Sequence, residues 1–255
     1  MHLDLFGKEG KQANYQTLIP GLRQRKRWEN VLKAALDNAQ LCGPVLEFGV
    51  FRGKSINYLA ELLPNEVIYG FDSFEGFPND GRPDWQQDFQ LDDLPAVAKN
   101  VTLVQGFFDV SLPAFLRENR AFPPLRLLHI DCDLYSSTKL VFDNLSHLLQ
   151  KGSVIVFDEL LHYGRFRENE FLAFFEFLEE RSLTFHWLVR AGKVMPFKNF
   201  LEMKANNRLA EMKVLRSKGY HQNTAVELAA RPASYEDTLA QYRGVAENLA
   251  RDFPI

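Results

Sequence analysis

Val45-Leu46-Glu47-Phe48-Gly49-Val50-Phe51-Arg52-Gly53-Lys54-Ser55 is the stretch whose reading decides the fold. A short apolar run that carries one acid, Glu47, reads as a buried strand. A turn with two glycines follows, and Lys54-Ser55 opens a helix. Glycine has no Cβ and reaches positive φ, so such a turn lets backbone lie against a nucleotide-like ligand. The helix start adds free N–H groups and a positive dipole end. Spacing then excludes two phosphate motifs. A dinucleotide turn needs G-x-G-x-x-G and a phosphate loop needs G-x-x-x-x-G-K-[ST]. Gly49 and Gly53 make G-x-x-x-G, one residue short of the second pattern.

The remaining chain is consistent with an ordinary folded protein. Of its 255 residues 46% are hydrophobic and 25% charged, enough apolar mass for a core that needs no disulfide or metal. A net charge of -3 gives no electrostatic footprint for nucleic acid. The two cysteines, Cys42 and Cys132, read as reduced, buried thiols. No apolar run reaches the roughly 20 residues of a membrane span. Met1-His2-Leu3-Asp4 lacks a basic-then-apolar signal. The expectation is a soluble, cytoplasmic protein with neither a nucleic-acid nor a membrane partner, as a possible homo-oligomer, a dimer first.

Outward from the opening stretch, strands and helices alternate. Residues 1–40 end in a helix whose apolar residues recur at helical spacing from Trp28 to Leu36, after the basic run Arg23 to Arg27, read as a solvated face. Strands are expected at 44–50, 66–74, 101–107, 125–131 and 153–157, with helices at 54–63, 112–119, 136–150 and 168–181. Ser136 or Ser137 is the expected cap of the third of these helices. Continuous apolar strands between helices mean a parallel sheet covered on both faces. Residues 183–190 and 193–200, joined at Ala191-Gly192, read as an antiparallel hairpin. A doubly wound, mostly parallel seven-stranded α/β sheet of Rossmann type that ends in such a hairpin resembles the class I methyltransferases. Beyond it, 203–218 reads as a helix, 219–232 as irregular, and 234–251 as a last helix capped by Ser234. The expected division is an N-terminal helical cap (1–40), the sheet domain (41–201) and a helical extension (202–255).

Ligands of open α/β sheets bind beyond the carboxyl ends of the strands. All five expected strand ends carry acids. Asp72, with Ser73 and Phe74 after it, ends the second strand, where an acid accepts ribose hydroxyls. Glu47 is either bonded to backbone amides or orients a cofactor's ammonium group. Phe74 and Phe107 are candidates to pack on an adenine ring, with the core as the alternative. Asp131, Asp133, Asp158 and Glu159 form a second set. Carboxylates crowded at adjacent strand ends repel unless a positive charge lies between them, and no Lys or Arg occurs within either motif. A divalent cation with hard oxygen ligands, Mg²⁺ first, is the expected counter-charge. A cation bound to vicinal oxygens lowers a hydroxyl pKa, and a base then takes the proton. The expected base is whichever of Asp131 and Asp133 is not on the metal, or His162.

Four motifs together resemble the macrocin-type sugar O-methyltransferases, which are metal-dependent and use S-adenosylmethionine (AdoMet). They are Glu47 to Ser55, Gly70-Phe71-Asp72-Ser73-Phe74-Glu75-Gly76-Phe77-Pro78, His129-Ile130-Asp131-Cys132-Asp133-Leu134-Tyr135-Ser136-Ser137-Thr138, and Val156-Phe157-Asp158-Glu159. The resemblance spans roughly residues 40–200. It implies that Glu47, Gly49, Gly53 and Ser55 line the methionine end of AdoMet. Asp72 would hold its ribose, and Ser73, Phe74, Phe107 and Asp131 would lie along the cofactor. Asp131 or Asp133 would bind the cation with Asp158 and Glu159, where the family carries Asp-Asp. The implied acceptor is a hydroxylated small molecule, plausibly a sugar of a natural product or glycan. A metal-independent AdoMet methyltransferase, a non-catalytic AdoMet-binding protein and a nicotinamide oxidoreductase are the alternatives.

Overall fold

The computed structural model of the protein describes residues 27–78, 89–161, 163, 166–192 and 220–230. In chain order the elements are α1 (Arg27–Asn38), β1 (Val45–Phe48), α2 (Lys54–Leu62), β2 (Ile68–Asp72), β3 (Val101–Gln105), α3 (Phe108–Glu118), β4 (Leu127–Ile130), α4 (Tyr135–Leu145), β5 (Val154–Phe157), α5 (Glu170–Glu180), β6 (Leu183–Gly192) and β7 (Tyr220–Ala230). The seven strands form one sheet in the order β3-β2-β1-β4-β5-β7-β6. β1 to β5 run parallel, whereas β7 is antiparallel to both β5 and β6. This is the doubly wound, seven-stranded sheet with an antiparallel end that the alternation implied.

Side-chain alternation explains the two-sided core. Every residue of β1, β4 and β5 is buried. Leu46, Phe48, Leu128, Ile130, Ile155 and Phe157 face α4 and α5, where Phe142, Phe174 and Phe177 meet them. Phe142 and Phe177 stack with ring centres 4.6 Å apart. Val45, Leu127, Val154 and Val156 face α1 and α2 on the opposite side. Glu47 and His129 are direct register partners in β1 and β4. By strand alternation they lie on this second face.

The strand order reverses direction between β1 and β4: β2 and β3 extend the sheet one way, β5 the other. A crevice opens at such a switch point, beyond the carboxyl ends of the strands. The opening turn, Asp72, Asp131 and Asp158 therefore converge on one edge of the sheet.

Four expectations are corrected. Residues 183–192 form one strand, with bulges near Trp187 and Gly192, so Ala191-Gly192 is strand end rather than hairpin turn. Its partner is β7, in the segment read as irregular and beyond the boundary placed at residue 201. The polar opening Gln222-Asn223-Thr224 hid this strand, yet Gln222 and Thr224 are both buried. Ser136 and Ser137 do not cap α4; Leu134 occupies the N-cap, with no side-chain cap bond. Cys42 is exposed, whereas Cys132 is buried. The expected helices at 203–218 and 234–251 and the basic run Arg23 to Lys26 lie outside the described residues. Among the described residues no helix is long and apolar enough to cross a membrane.

Candidate active site

The turn after β1 is built around positive φ angles: 92° at Gly49, 47° at Phe51 and 73° at Gly53. The carboxylate of Asp72 holds it. Its Oδ2 accepts the N–H groups of Val50 and Phe51, each at 2.8 Å, and its Oδ1 accepts that of Phe74 at 2.7 Å. A carboxylate offers about four acceptor positions, so one remains for a ribose hydroxyl. Asp72 thus staples β1 to β2 as well as facing the crevice. Asp72→Ala strands these three N–H groups and is expected to destabilise the fold by about 2–3 kcal/mol, with Asp72→Asn in between. Urea unfolding checks the order; equal stability of all three proteins would refute the staple.

Glu47 is fully buried. The Ser55 hydroxyl donates to its Oε1 at 2.9 Å, and His129 Nδ1 lies 2.8 Å from its Oε2. Neither backbone amides nor open space meet this carboxylate; Ser55 and His129 stand between it and the cavity. Sequence reading missed His129, whose only signal was its position two residues before Asp131 on the same strand face.

Two cavities meet at Asp131. The larger, ≈ 680 Å³, is bounded by Gly49, Asp72, Ser73, Phe107, Asp131 and Asp133. Its far wall is aromatic. Phe89 packs edge-on against Phe51 at 5.2 Å and against Phe77 at 5.0 Å. None of these three phenylalanines was singled out from the sequence. The smaller cavity, ≈ 160 Å³, lies between the sheet and helices α1 and α2. Lys54, Ser55 and His129 line it together with Asp131, Asp158 and Asn223. Lys54 brings to these acids a cation that their own motifs lack, because it arrives from the β1–α2 turn. Asn223, from the strand that was not foreseen, donates its side-chain N–H to Asp158 Oδ1.

Burial pushes the Asp131 carboxyl well above the usual carboxylate range, and the charges of Asp158, Asp133, Glu170 and Glu47 add to the rise. Burial also raises the Cys132 thiol, which makes it a poor nucleophile.

The predicted site residues therefore separate. Gly49, Asp72, Ser73, Phe107, Asp131 and Asp133 line the large cleft, and Ser55, Asp131 and Asp158 the small cavity. Gly53, Glu47 and Glu159 border neither; Glu159 is buried. Phe74 is buried in the core on the α2 side, the packing that its alternative reading expected. Among the described residues no three His, Cys, Asp or Glu side chains group closely enough to hold a metal ion, so the four-acid ligand set does not assemble; Asp131 and Asp158 remain together. His162 lies outside the described residues.

Comparison with known proteins fits this architecture. Residues 46–160, from β1 to just past β5, match the family model of a Methyltransferase domain. No curated protein matches the chain. Among solved structures, CalS11, a calicheamicin methyltransferase, is 26% identical over 71% of this chain and 77% of its own, with a TM-score of 0.48. The O-methyltransferase NovP is 20% identical over 64% of this chain and 76% of its own, with a TM-score of 0.50. The mycinamycin-pathway methyltransferase MycE, solved with Mg and SAH, is 16% identical over 78% of this chain and 48% of its own, with a TM-score of 0.37. Residues 46–160 are thus similar to a methyltransferase domain, and the sheet order is that of a Rossmann-like, doubly wound fold.

Proposed function

We propose that the protein is an AdoMet-dependent O-methyltransferase that methylates a hydroxyl of a small acceptor, plausibly a sugar of a natural product or glycan, with the help of a divalent cation. The observation that carries this reading is Asp131, which borders both cavities at the switch point of the sheet. The large cleft suits an adenosine, with Asp72 and Ser73 toward the ribose and Phe107 toward the ring. The small cavity carries the Lys54 ammonium and the Ser55 hydroxyl, a fit for the carboxylate of an amino-acid end.

AdoMet supplies an electrophilic methyl carbon: the hydroxyl oxygen bonds to it as the carbon–sulfur bond breaks, leaving S-adenosylhomocysteine, and the hydroxyl proton passes to a carboxylate. Asp133, which borders the large cleft, is our candidate for that carboxylate. Asp131 and Asp158 are hard oxygen donors on one cavity and would hold the cation. A cation there supplies the Lewis acidity that lowers the hydroxyl pKa. Lys54, which lines the same cavity, supports a second, metal-independent version, in which its ammonium balances the carboxylates.

Calorimetry with AdoMet and NAD, then transfer from radiolabelled AdoMet to a panel of free and nucleotide-linked sugars, tests this. AdoMet is expected to bind and NAD not, and EDTA is expected to abolish transfer. Binding of NAD alone would overturn the reading, and EDTA-resistant transfer would select the Lys54 version.

A further inference from the structure

Asp133 sits on backbone that side chains rarely adopt. Its φ is 62°, and the N–H of Leu134 reaches back to the carbonyl of Cys132 at 2.6 Å. A three-residue turn centred on a positive φ is the rare and strained hand. Strain of this kind persists only where surrounding groups over-determine the conformation. Thr138 meets the flanks of the turn, at the Cys132 thiol and the Leu134 carbonyl, and Glu170 meets its centre, where Oε1 accepts the Asp133 N–H at 3.3 Å. Glu170 lies in the first turn of α5, where an acid ordinarily remains in water and offsets the helix dipole. Here it is 0% exposed, and it lies close enough to Asp131 to raise that carboxyl further. Burying a charge beside other acids is costly. Helix formation alone gives no reason for it, because an exposed Glu would serve as well.

We infer that Glu170 is a positioning residue: its carboxylate oxygen clamps the strained Cys132-Asp133-Leu134 turn and so fixes where the Asp133 carboxylate stands in the large cleft. The inference rests on the methyl-transfer reading for what Asp133 does there, but the clamp itself does not. It also explains why α5 starts where it does, since Glu170 couples the helix that covers β5 to the loop that leaves β4.

Two variants separate reach from charge. Glu170→Gln keeps an oxygen at the same reach without the charge, and Glu170→Asp keeps the charge but is one methylene short. Hydrogen exchange of the Asp133 amide is expected to be about tenfold faster in Glu170→Asp and near the unmodified rate in Glu170→Gln. On the panel sugar that the unmodified protein methylates fastest, kcat is expected to fall about 10–100-fold in Glu170→Asp and less than about threefold in Glu170→Gln. S-adenosylhomocysteine affinity, read by calorimetry, should be unchanged in both. The reverse order, Gln impaired and Asp active, would overturn the clamp in favour of a charge or helix-dipole role. Equal exchange rates in all three proteins would also overturn it. If the unmodified protein neither binds S-adenosylhomocysteine nor transfers methyl groups, the proposed function fails, and the exchange contrast still decides the role of Glu170.

Discussion

Asp131→Asn, which removes a proposed cation ligand, is expected to lower methyl transfer by about 10²–10⁴-fold while making the protein more stable at neutral pH. Both effects have one cause. Asp131 is partly buried and faces Asp158, Asp133, Glu170 and Glu47, so its ionised form is disfavoured in the fold. A group whose carboxyl is raised above its ordinary 3.8 contributes stability that is fully present below that value. The contribution is lost as pH rises through the raised native value. Asn carries no charge at any pH, so the advantage of the variant grows with pH across that window. Differential scanning from pH ~4 to ~8 should show the two proteins converging at the acid end. They should separate by a few degrees at the neutral end, the shift that on the order of 1 kcal/mol gives in a chain of this size. Mg²⁺ is expected to raise the melting temperature of the unmodified protein and not that of Asp131→Asn, because the paired carboxylates are what a cation would relieve. A variant less stable than its parent at neutral pH would contradict the repulsion. Equal responses to Mg²⁺ would remove Asp131 from the proposed ligands.

The contrast between what Asp131 and Glu47 disclosed in the sequence shows where reading a chain succeeds. Asp131 was legible because it ends an apolar run, and the ends of parallel strands are where ligands meet a sheet. The β1 turn was legible for a local reason, since its glycines and the helix start after it are adjacent in sequence. Glu47 was visible as an acid in an apolar strand, but its partner was not. His129 meets it through the β1–β4 register, a pairing across 82 positions that no local pattern encodes. Lys54 failed to be connected to the acids for the same reason. Asp72 was read as facing ligand only, because the Val50 and Phe51 N–H groups become its partners only once β1 and β2 are side by side. β7 was lost to a different effect. Buried Gln222 and Thr224 give it a polar look, although β5 and β6 pair with both of its edges, and Ala191-Gly192 imitated the turn that a nearer partner would have needed.

Gly49→Ala is expected to be among the most damaging single-methyl additions to this fold, for a reason unrelated to any ligand. A Cβ at position 49 would lie 1.8 Å from the carbonyl oxygen of Asp131 and 2.6 Å from its carbonyl carbon. That neighbour is backbone and cannot rotate aside. It is also tied in place, since the Asp131 N–H donates to the Phe48 carbonyl at 2.8 Å and the Asp158 N–H to the Ile130 carbonyl at 3.0 Å. The φ of 92° adds strain that any side chain would feel. Positive-φ strain of about 1–3 kcal/mol and overpacking of about 1–3 kcal/mol sum to roughly 2–6 kcal/mol, a large fraction of a typical 5–15 kcal/mol stability. Gly53 is the internal control. It shares the positive φ, 73°, but a Cβ there would meet only side-chain atoms, of Asn57 and Val97, at 3.3 Å. Gly53→Ala is therefore expected to cost about 1 kcal/mol, close to the backbone term alone. Urea midpoints of the two variants give the comparison. Similar midpoints would mean that the β4 end moves away freely, and Asp131 would then not be fixed by its packing on the β1 turn. A large gap would assign the first glycine to sheet packing: the short G-x-x-x-G spacing lets β1 and β4 close on each other, and that closure is what brings Asp131 to the boundary between the two cavities.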